Sequence, residues 1–377
     1  MLPTLTRSSG LARAAPSRNP ALWAVATAHR PASTLARKAG AVRRPGAAPP
    51  PPARVAAAAA ESAVVDGPTS SAPPPPAWPT ACPICLTTPL GPVTHAGRGT
   101  LKPLRCGRCA RTFDAAPDFL DLTLESGLSP SSSPSSPTSQ LGTSLFRSPL
   151  VAFAYDRGWR AGFAWAGFPG PDEEAEAALA YLAPAEGGVL LDLSCGSGLF
   201  ARRFAASGLF SGVIAADFSE AMLREAAAGL AADGVDPAAY LPLRLDAARL
   251  PFPTASLPGI HAGAALHCWP APGAAVAEVS RVLRPGGVFV ASTFLDAAAP
   301  LGSVIGDEAA TALAGVVPGV LGGSMPGGRA FRWWSEKDIR ALCTAAGLVD
   351  FKRWRKNRFI LFSARKPESD PGFVKEA

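Results

Sequence analysis

Hydrophobic and polar positions alternate most regularly between residues 188 and 366. Val189-Leu190-Leu191, with Leu193 beyond Asp192, is a short continuous apolar run. Such runs fit strands buried on both faces, as in parallel sheets covered by helices. The pattern predicts strands at 188–193, 212–217, 240–245, 259–265 and 287–293, with helices at 199–207, 219–232 and 272–284 between them. A helix over 172–182 precedes them, with Ala178, Tyr181 and Leu182 on its inner face. Ser219 can cap the second helix of the series, and Ser335-x-x-Asp338 reads as a capping box for a helix ending near Gly347. Two final strands, LVDFKRW and RFILFSA, are joined by the polar turn Arg355-Lys356-Asn357, so that pair is antiparallel. Residues 296–330 are rich in Gly, Ala and Pro and predict an irregular insert near the substrate.

The first of these strands breaks into Ser194-Cys195-Gly196-Ser197-Gly198 before a helical pattern begins at Leu199. Strand, glycine turn and helix make the nucleotide-binding corner of a doubly wound sheet, where backbone must approach a ligand with no Cβ in the way. Gly196, Gly198 and Ala201 fit G-x-G-x-x-A, so a nicotinamide dinucleotide satisfies the corner. Asp217 closes the next strand about 20 residues on and can bind ribose hydroxyls of that ligand or of S-adenosylmethionine equally well. The corner alone therefore predicts an adenosine ligand without choosing between the two.

Upstream, Cys82-x-x-Cys85 and Cys106-x-x-Cys109 are separated by 20 residues, within the spacing of a four-thiolate zinc ribbon. A knuckle that packs without metal is the alternative. His95 lies between the pairs and reads as a loop residue. Arg98, Lys102, Arg105, Arg108 and Arg111 surround the knuckles, either as phosphate contacts or as a solvated face. The other three cysteines, Cys195, Cys268 and Cys343, sit in apolar surroundings and read as buried thiols. Residues 128–144 are a Ser/Pro linker. Beyond it Phe153, Tyr155, Trp159, Phe163, Trp165 and Phe168 crowd ahead of the glycine corner, either as a helical flap over the cleft or as a cover for the sheet's edge.

Composition changes the picture at one end. The first 60 residues hold nine basic side chains and no acid, among Ala, Ser and Pro, which reads as an organelle transit peptide processed near residue 56. A plastid fits better than a mitochondrion. The remaining 27 basic and 29 acidic side chains leave the rest at about −2, so the overall +7 is no evidence for nucleic acid. No apolar run reaches the ~18 residues of a membrane span. The expected organisation is a leader at 1–56, a Pro/Ala-rich disordered stretch at 57–79, a zinc ribbon at 80–123 and a linker at 124–145. A catalytic domain with an N-terminal helical flap follows at 146–368, then a tail at 369–377.

VLLDLSCGSGLF, VIAADFSEAML, LRLDAARLPFP and RVLRPGGVF, in that order, resemble the class I S-adenosylmethionine-dependent methyltransferases, closest to the type 11 group with its quinone-pathway C-methyltransferases. The resemblance spans residues 188–366 and implies an α/β fold: a Rossmann-like class I methyltransferase sheet with a C-terminal antiparallel hairpin, here preceded by a small zinc ribbon. It leaves a dehydrogenase that binds a nicotinamide dinucleotide as a minor alternative. S-adenosylmethionine is the implied cofactor, beside structural zinc on Cys82, Cys85, Cys106 and Cys109. Main-chain atoms from Ser194 and Cys195 to Gly196 and Gly198 would pass its methionine part. Asp192 would hold its ammonium, directly or through water, and Asp217 its ribose. Phe218 and Met222 would sandwich the adenine, while Asp246 accepts from its amino group and the backbone of Ala247 pairs with the ring.

Two departures stand out. Ser194 occupies the family's usual first loop glycine, and Leu257-Pro258-Gly259 replaces an aromatic-Asp opening of the fourth strand. The wider arrangement, with FRSP…RGW…AGFPGPDEE ahead of the loop and HAGAALHCWP after it, resembles the plastid type 11 methyltransferases of plants and algae, whose members are often assigned to plastoglobules. Ribbon and domain together also resemble, more loosely, the bacterial 23S rRNA guanine methyltransferases.

Methyl transfer needs mainly alignment and desolvation, and a base only if the acceptor must lose a proton. His267, after the fourth strand, is the candidate catalytic base, with a histidine hydrogen-bonded inside its loop as the alternative. Trp269 can stack on a flat acceptor. His261, inside the strand, reads as structural. Three functions follow. The first is a plastid enzyme acting on a small aromatic or prenylated molecule, with peripheral association with lipid droplets open. The second is an rRNA base methyltransferase that grips RNA with the ribbon and with Lys352, Arg353, Arg355, Lys356 and Arg358. The third is a non-catalytic cofactor-binding protein.

Overall fold

The computed structural model describes residues 76–93, 101–127, 159–306, 308–310, 313 and 332–368. The expectations for the leader, for His95 and Arg98, for Phe153 and Tyr155, and for residues 128–145 lie outside them.

Three two-residue strands come first among the elements of the described residues: β1 (Leu104–Arg105), β2 (Thr112–Phe113) and β3 (Leu120–Asp121). After a 3-10 segment, Trp159–Ala166, come α1 (Pro171–Leu182), β4 (Val189–Leu193), α2 (Leu199–Ala206), β5 (Gly212–Asp217), α3 (Glu220–Ala232) and β6 (Tyr240–Arg244). The chain continues through β7 (Leu257–Ala262), α4 (Pro272–Val282), β8 (Leu283–Phe294), α5 (Ala299–Ile305), α6 (Glu336–Ala345), β9 (Val349–Lys356) and β10 (Phe359–Arg365). β1 and β2 form an antiparallel pair in the ribbon. The other eight strands make one sheet in the order β3-β6-β5-β4-β7-β8-β10-β9. Its first six strands are parallel, and β10 and β9 close it antiparallel.

Strand alternation splits the core into two layers. Leu191, Leu193, Ile214, Ala216, Ile260 and Ala262 face α4, α6 and the ribbon. Leu190, Val213, Ala215, Val288 and Val290 face α1, α2 and α3. Ribbon residues Cys82, Leu90, Cys106, Phe113, Leu120 and Leu122 pack in the first layer with Leu241, Leu243, Leu250 and Phe252. The ribbon is thus part of the sheet's own core. Residues 124–127 belong to it as well: Ser126 Oγ accepts from the Asp114 amide, and Arg111 donates to the Ser126 carbonyl.

Several element ends differ from the sequence reading. α4 stops at Val282 and β8 starts at Leu283, already extended at φ −63 and ψ 132, and Pro285 disfavours a helical Arg284 beyond it. β7 begins at Leu257 and ends at Ala262, after which Ala264 turns to φ 52. β9 runs on through Lys356, leaving Asn357, at φ 54, in the turn. The stretch expected to be irregular carries α5, whose start is set by Pro300 in its first turn and by Asp296, which accepts from the Ala298 amide. The inner face of α1 holds Ala178 and Leu182 as expected, with Tyr181 only half-buried against the same core, and also Glu174, fully buried with Ser292 donating to it at 2.6 Å.

Candidate active site

The C-terminal ends of β4, β5, β6, β7 and β8 gather the expected cofactor residues at one edge of the sheet, where ligands of open α/β sheets bind. Asp192 sits near the end of β4 on the face under α2. Its Oδ1 lies 2.8 Å from His261 Nδ1, across the register of β4 and β7. His261 is wedged against Phe200 and Phe204, with ring centroids 4.9 and 4.8 Å away. Its structural reading holds, though it also orients an acid. Asp192 Oδ2 is buried with no hydrogen-bond partner among the described residues. A buried carboxylate oxygen of that kind calls for a donor. The ammonium of an S-adenosylmethionine methionine moiety is such a donor, so the residues fit that ligand.

Ser194 adopts φ 59, a left-handed conformation natural to the glycine it replaces. Its hydroxyl accepts from Trp269 Nε1 at 2.9 Å. Gly196 and Gly198 are also left-handed, at φ 56 and 80. At Gly198 a Cβ would stand 2.9 Å from the Ala226 Cβ, so its smallness lets α2 approach α3. Cys195 is buried, and burial together with Asp217 and Asp192 pushes its thiol well up.

Asp217 Oδ2 accepts from the Gly196 amide at 2.9 Å and Oδ1 from the Ser219 amide at 2.8 Å. Desolvation raises its pKa despite those amide donors, with Asp192 adding to the rise. Phe218 is half-buried beneath the Arg244 guanidinium, 5.2 Å from its ring centroid. Met222 is buried at the start of α3, its amide capped by Ser219 Oγ. Asp246 is exposed in a tight turn, accepting from the Ala248 amide, and Ala247 packs on the core beside it.

His267 occupies a 3-10 turn, Leu266–Cys268, directly beyond β7. It is 8 % exposed, its Nδ1 is 3.3 Å from Thr293 Oγ1, and it meets Phe294 edge-on at 4.9 Å. Trp333 stacks alongside at 6.4 Å. Phe163, Trp165 and Phe168 from the segment before α1 close on the same Phe294 at 5.0, 6.2 and 4.6 Å. The Arg358 guanidinium lies between Trp165 and Trp333, 5.4 and 5.3 Å from their rings. The early aromatics therefore cover the end of β8 and the final hairpin, at the edge that also carries the glycine loop. Trp269 is buried with its indole N–H on Ser194, so the exposed aromatic surface here belongs to Trp165 instead.

Sequence reasoning missed Phe294, Trp333 and Arg358 as parts of this cluster. It also missed Glu174, which receives the Ser292 hydroxyl, whose oxygen in turn takes the Ala264 amide of the loop leading to His267. Only the aromatic density hinted at the first group. The rest depends on strand register.

The four ribbon sulfurs lie within 4.8 Å of one another. Cys82 with Cys109, and Cys85 with Cys106, approach to 3.6 Å. A tetrahedral zinc with Zn–S near 2.3 Å needs sulfurs about 3.8 Å apart, so the donors fit. Each knuckle closes identically: the Cys82 carbonyl takes the Leu86 amide and the Cys106 carbonyl the Ala110 amide, with Leu86 and Ala110 at φ 56 and 59. Thr87 draws the Cys85 thiol down to about 6, while burial pushes Cys82 up to about 12. Metal binding takes all four as thiolates.

Sheet order, glycine loop and the acid at the end of β5 together define a class I S-adenosylmethionine-dependent methyltransferase. The methyltransferase domain family matches residues 191–291. Two uncharacterised chloroplastic methyltransferases of Arabidopsis thaliana are 40 % identical over 296 residues and 43 % identical over 295, each match covering 76 % of this chain and 78 % of the relative. Demethylmenaquinone methyltransferase of Clavibacter sepedonicus is 37 % identical over 120 residues, 32 % of this chain and 46 % of that protein. Among solved structures, phosphoethanolamine N-methyltransferase 2 of Haemonchus contortus aligns at TM-score 0.42 and 16 % identity, over 58 % of this chain and 57 % of that one. The chain belongs to the family of methyltransferases that holds the two Arabidopsis proteins, and it is an enzyme that uses S-adenosylmethionine.

Proposed function

We propose that this enzyme works in the plastid and methylates a small aromatic or prenylated acceptor. The observation that carries this reading is the aromatic enclosure beside the glycine loop, formed by Phe163, Trp165, Phe294 and Trp333 around His267. Flat, apolar molecules fit such walls through offset and edge-on ring contacts. Two supports come from outside the site: the chloroplastic names of the Arabidopsis relatives, and a bacterial relative named for a prenylated quinone acceptor.

S-adenosylmethionine supplies an electrophilic methyl group on a sulfonium. Asp192 would hold the ammonium and Asp217 the ribose, with the backbone of Ser194 to Gly198 along the methionine part. The aromatic wall excludes water and aligns the acceptor, which is most of what an in-line displacement requires. His267 is the base where the acceptor must shed a proton. Thr293 fixes its ring at Nδ1.

The rRNA reading has less support. Its basic tail is largely committed to internal partners: Arg353 and Arg355 pair with Glu336, and Arg358 donates to the Leu295 and Asp296 carbonyls. Of the tail cations, Lys352 and Lys356 are exposed and stand outside these pairs, too few by themselves for a phosphate track. Among the described residues no helix is long and apolar enough to cross a membrane.

The test incubates the protein with methyl-labelled S-adenosylmethionine and plastid extract divided into lipid and RNA fractions. Label should enter the lipid fraction and fall at least about tenfold in Trp333→Ala. Label in RNA, abolished by Cys106→Ser, would overturn the small-acceptor reading. Label in neither fraction, despite cofactor binding, would favour a sensor.

A further inference from the structure

A small-molecule methyltransferase has no evident need of a zinc ribbon, yet this ribbon supplies a strand to the catalytic sheet. We infer that the ribbon braces the adenine side of the cofactor pocket through Arg244 and Arg249, so that cofactor affinity and metal retention are linked. The inference rests on the reading that Phe218, Asp246 and Ala247 meet the adenine.

Those residues lie on two loops, and each loop is tied to the ribbon by one arginine. Arg244 ends β6. Its Nη1 donates to Asp121 Oδ2 on ribbon strand β3 at 2.8 Å, with Glu220 3.3 Å away. Its Nε donates to the Phe218 carbonyl at 3.1 Å, and its guanidinium covers the Phe218 ring. Asp121 cannot turn away, because its other oxygen takes the amide and hydroxyl of Thr123 at 2.9 and 2.7 Å. The pair is sheltered, with side chains 14 % and 13 % exposed, so solvent screens it little.

Arg249 does the same for the second loop. Its amide donates to the Asp246 carbonyl at 2.9 Å, closing the turn that presents Asp246 and Ala247. Its guanidinium reaches the carbonyls of Pro83 and Ile84 at 2.7 and 2.9 Å. Those two residues are the ones between the cysteines of the first knuckle. Their carbonyls converge on one guanidinium because the Cys82–Cys85 turn is closed, and a metal on both sulfurs keeps it closed. The Ala81 amide adds a bond to the Pro251 carbonyl at 2.8 Å.

The two arginines are therefore positioning residues, with no contact to reacting atoms. Linkage makes the effect reciprocal: whatever factor the closed knuckle adds to cofactor affinity, bound cofactor adds to metal affinity. Removing Arg249 should leave its loop folded, because Glu278 accepts the Leu250 amide and Arg281 donates to the Leu250 and Phe252 carbonyls.

The experiment measures calorimetric affinity of the full, zinc-loaded chain for S-adenosylhomocysteine and for 5′-methylthioadenosine, which lacks the amino-acid end. Arg249→Ala and Asp121→Asn should each weaken both ligands about five- to tenfold. S-adenosylhomocysteine should slow zinc transfer to a chromogenic chelator in the parent protein and fail to do so in Arg249→Ala. A variant that merely loosens the fold would not remove that protection. Arg249→Lys, which keeps the charge but cannot bridge two carbonyls, should behave as Arg249→Ala and replaces any variant that does not fold. Asp217→Ala separates the two levels of inference. If it abolishes binding while the Arg249 and Asp121 variants bind both ligands as the parent does, the brace is wrong and the cofactor reading stands. If Asp217→Ala binds as the parent does, the cofactor reading fails and the brace falls with it.

Discussion

Ser194 is a non-glycine residue held at φ 59, which costs about 1–2 kcal/mol for an L-residue, yet its hydroxyl takes the buried Trp269 indole N–H. That bond offsets much of the strain, at about 1 kcal/mol for the bond and more for an indole left unpaired. The two terms separate by substitution. Ser194→Gly loses the bond but relieves the strain, so its stability should stay within about 1 kcal/mol of the parent. Ser194→Ala loses the bond and keeps the strain, and should fall by about 1–3 kcal/mol. Chemical denaturation of the three proteins gives the order. The serine was visible in the sequence as a departure from the family loop. Its partner, 75 residues away, was not.

Asp217 makes a pH prediction at the same scale. Its carboxyl titrates above its ordinary value of 3.8 because burial outweighs its amide donors. In the ribose-binding role expected of it the ionised form is the stronger acceptor, so cofactor affinity should fall as pH drops through that raised value, before ordinary carboxylates titrate. For the unliganded fold the sign is opposite. Between 3.8 and the raised value the native state holds more protons than the unfolded chain, so this group's contribution is greatest on the acid side and is lost as pH rises across the window. Titrating S-adenosylhomocysteine affinity against pH in the parent and in Asp217→Asn checks this. The acid-side loss should be present in the first and flattened in the second.

Among the elements, strands were legible because their apolar runs are continuous, and helix starts because Ser219 and Ser335 cap as their sequences imply. Ends were less legible, since they depend on neighbours. β7 shows why. Leu257-Pro258-Gly259 lacks the acid expected of its position, and the structure gives the segment a packing role. A Cβ on Gly259 would stand 2.5 Å from the Ala185 Cβ, and one on Gly188 would stand 2.5 Å from Pro258 Cγ. The turn between α1 and β4 thus closes directly onto the start of β7, where the β7–β8 register shifts between Leu257 and Gly259. Gly259→Ala overpacks this contact and should cost about 1–3 kcal/mol, read as a lower denaturation midpoint with an unchanged slope. The same substitution at Gly273, where a Cβ meets nothing within 4 Å, should be tolerated on space grounds and serves as the control.

At the scale of the molecule, the zinc-binding pattern was plain from two CxxC pairs, but its union with the catalytic sheet was not. β3 is two residues long and has no periodicity to read, yet it pairs with β6 and extends the sheet by one strand. The consequence concerns cooperativity. An independent ribbon on a linker would unfold by itself when its metal is removed, leaving the enzyme's own transition in place. Here Phe113, Leu120 and Leu122 are at most 1 % exposed in the layer that holds Leu243, Leu250 and Phe252, so losing the ribbon would uncover the sheet. Burying such side chains contributes about 1.5–3 kcal/mol each, comparable to a large share of a domain's net stability. Chelating the zinc, or substituting Cys106→Ser, should therefore lower one shared thermal transition rather than add an early one. Tryptophan fluorescence, far-ultraviolet circular dichroism and calorimetry should report the same lowered midpoint. Two separated transitions, with the later one at the zinc-loaded temperature, would show that the layer does not couple ribbon to sheet.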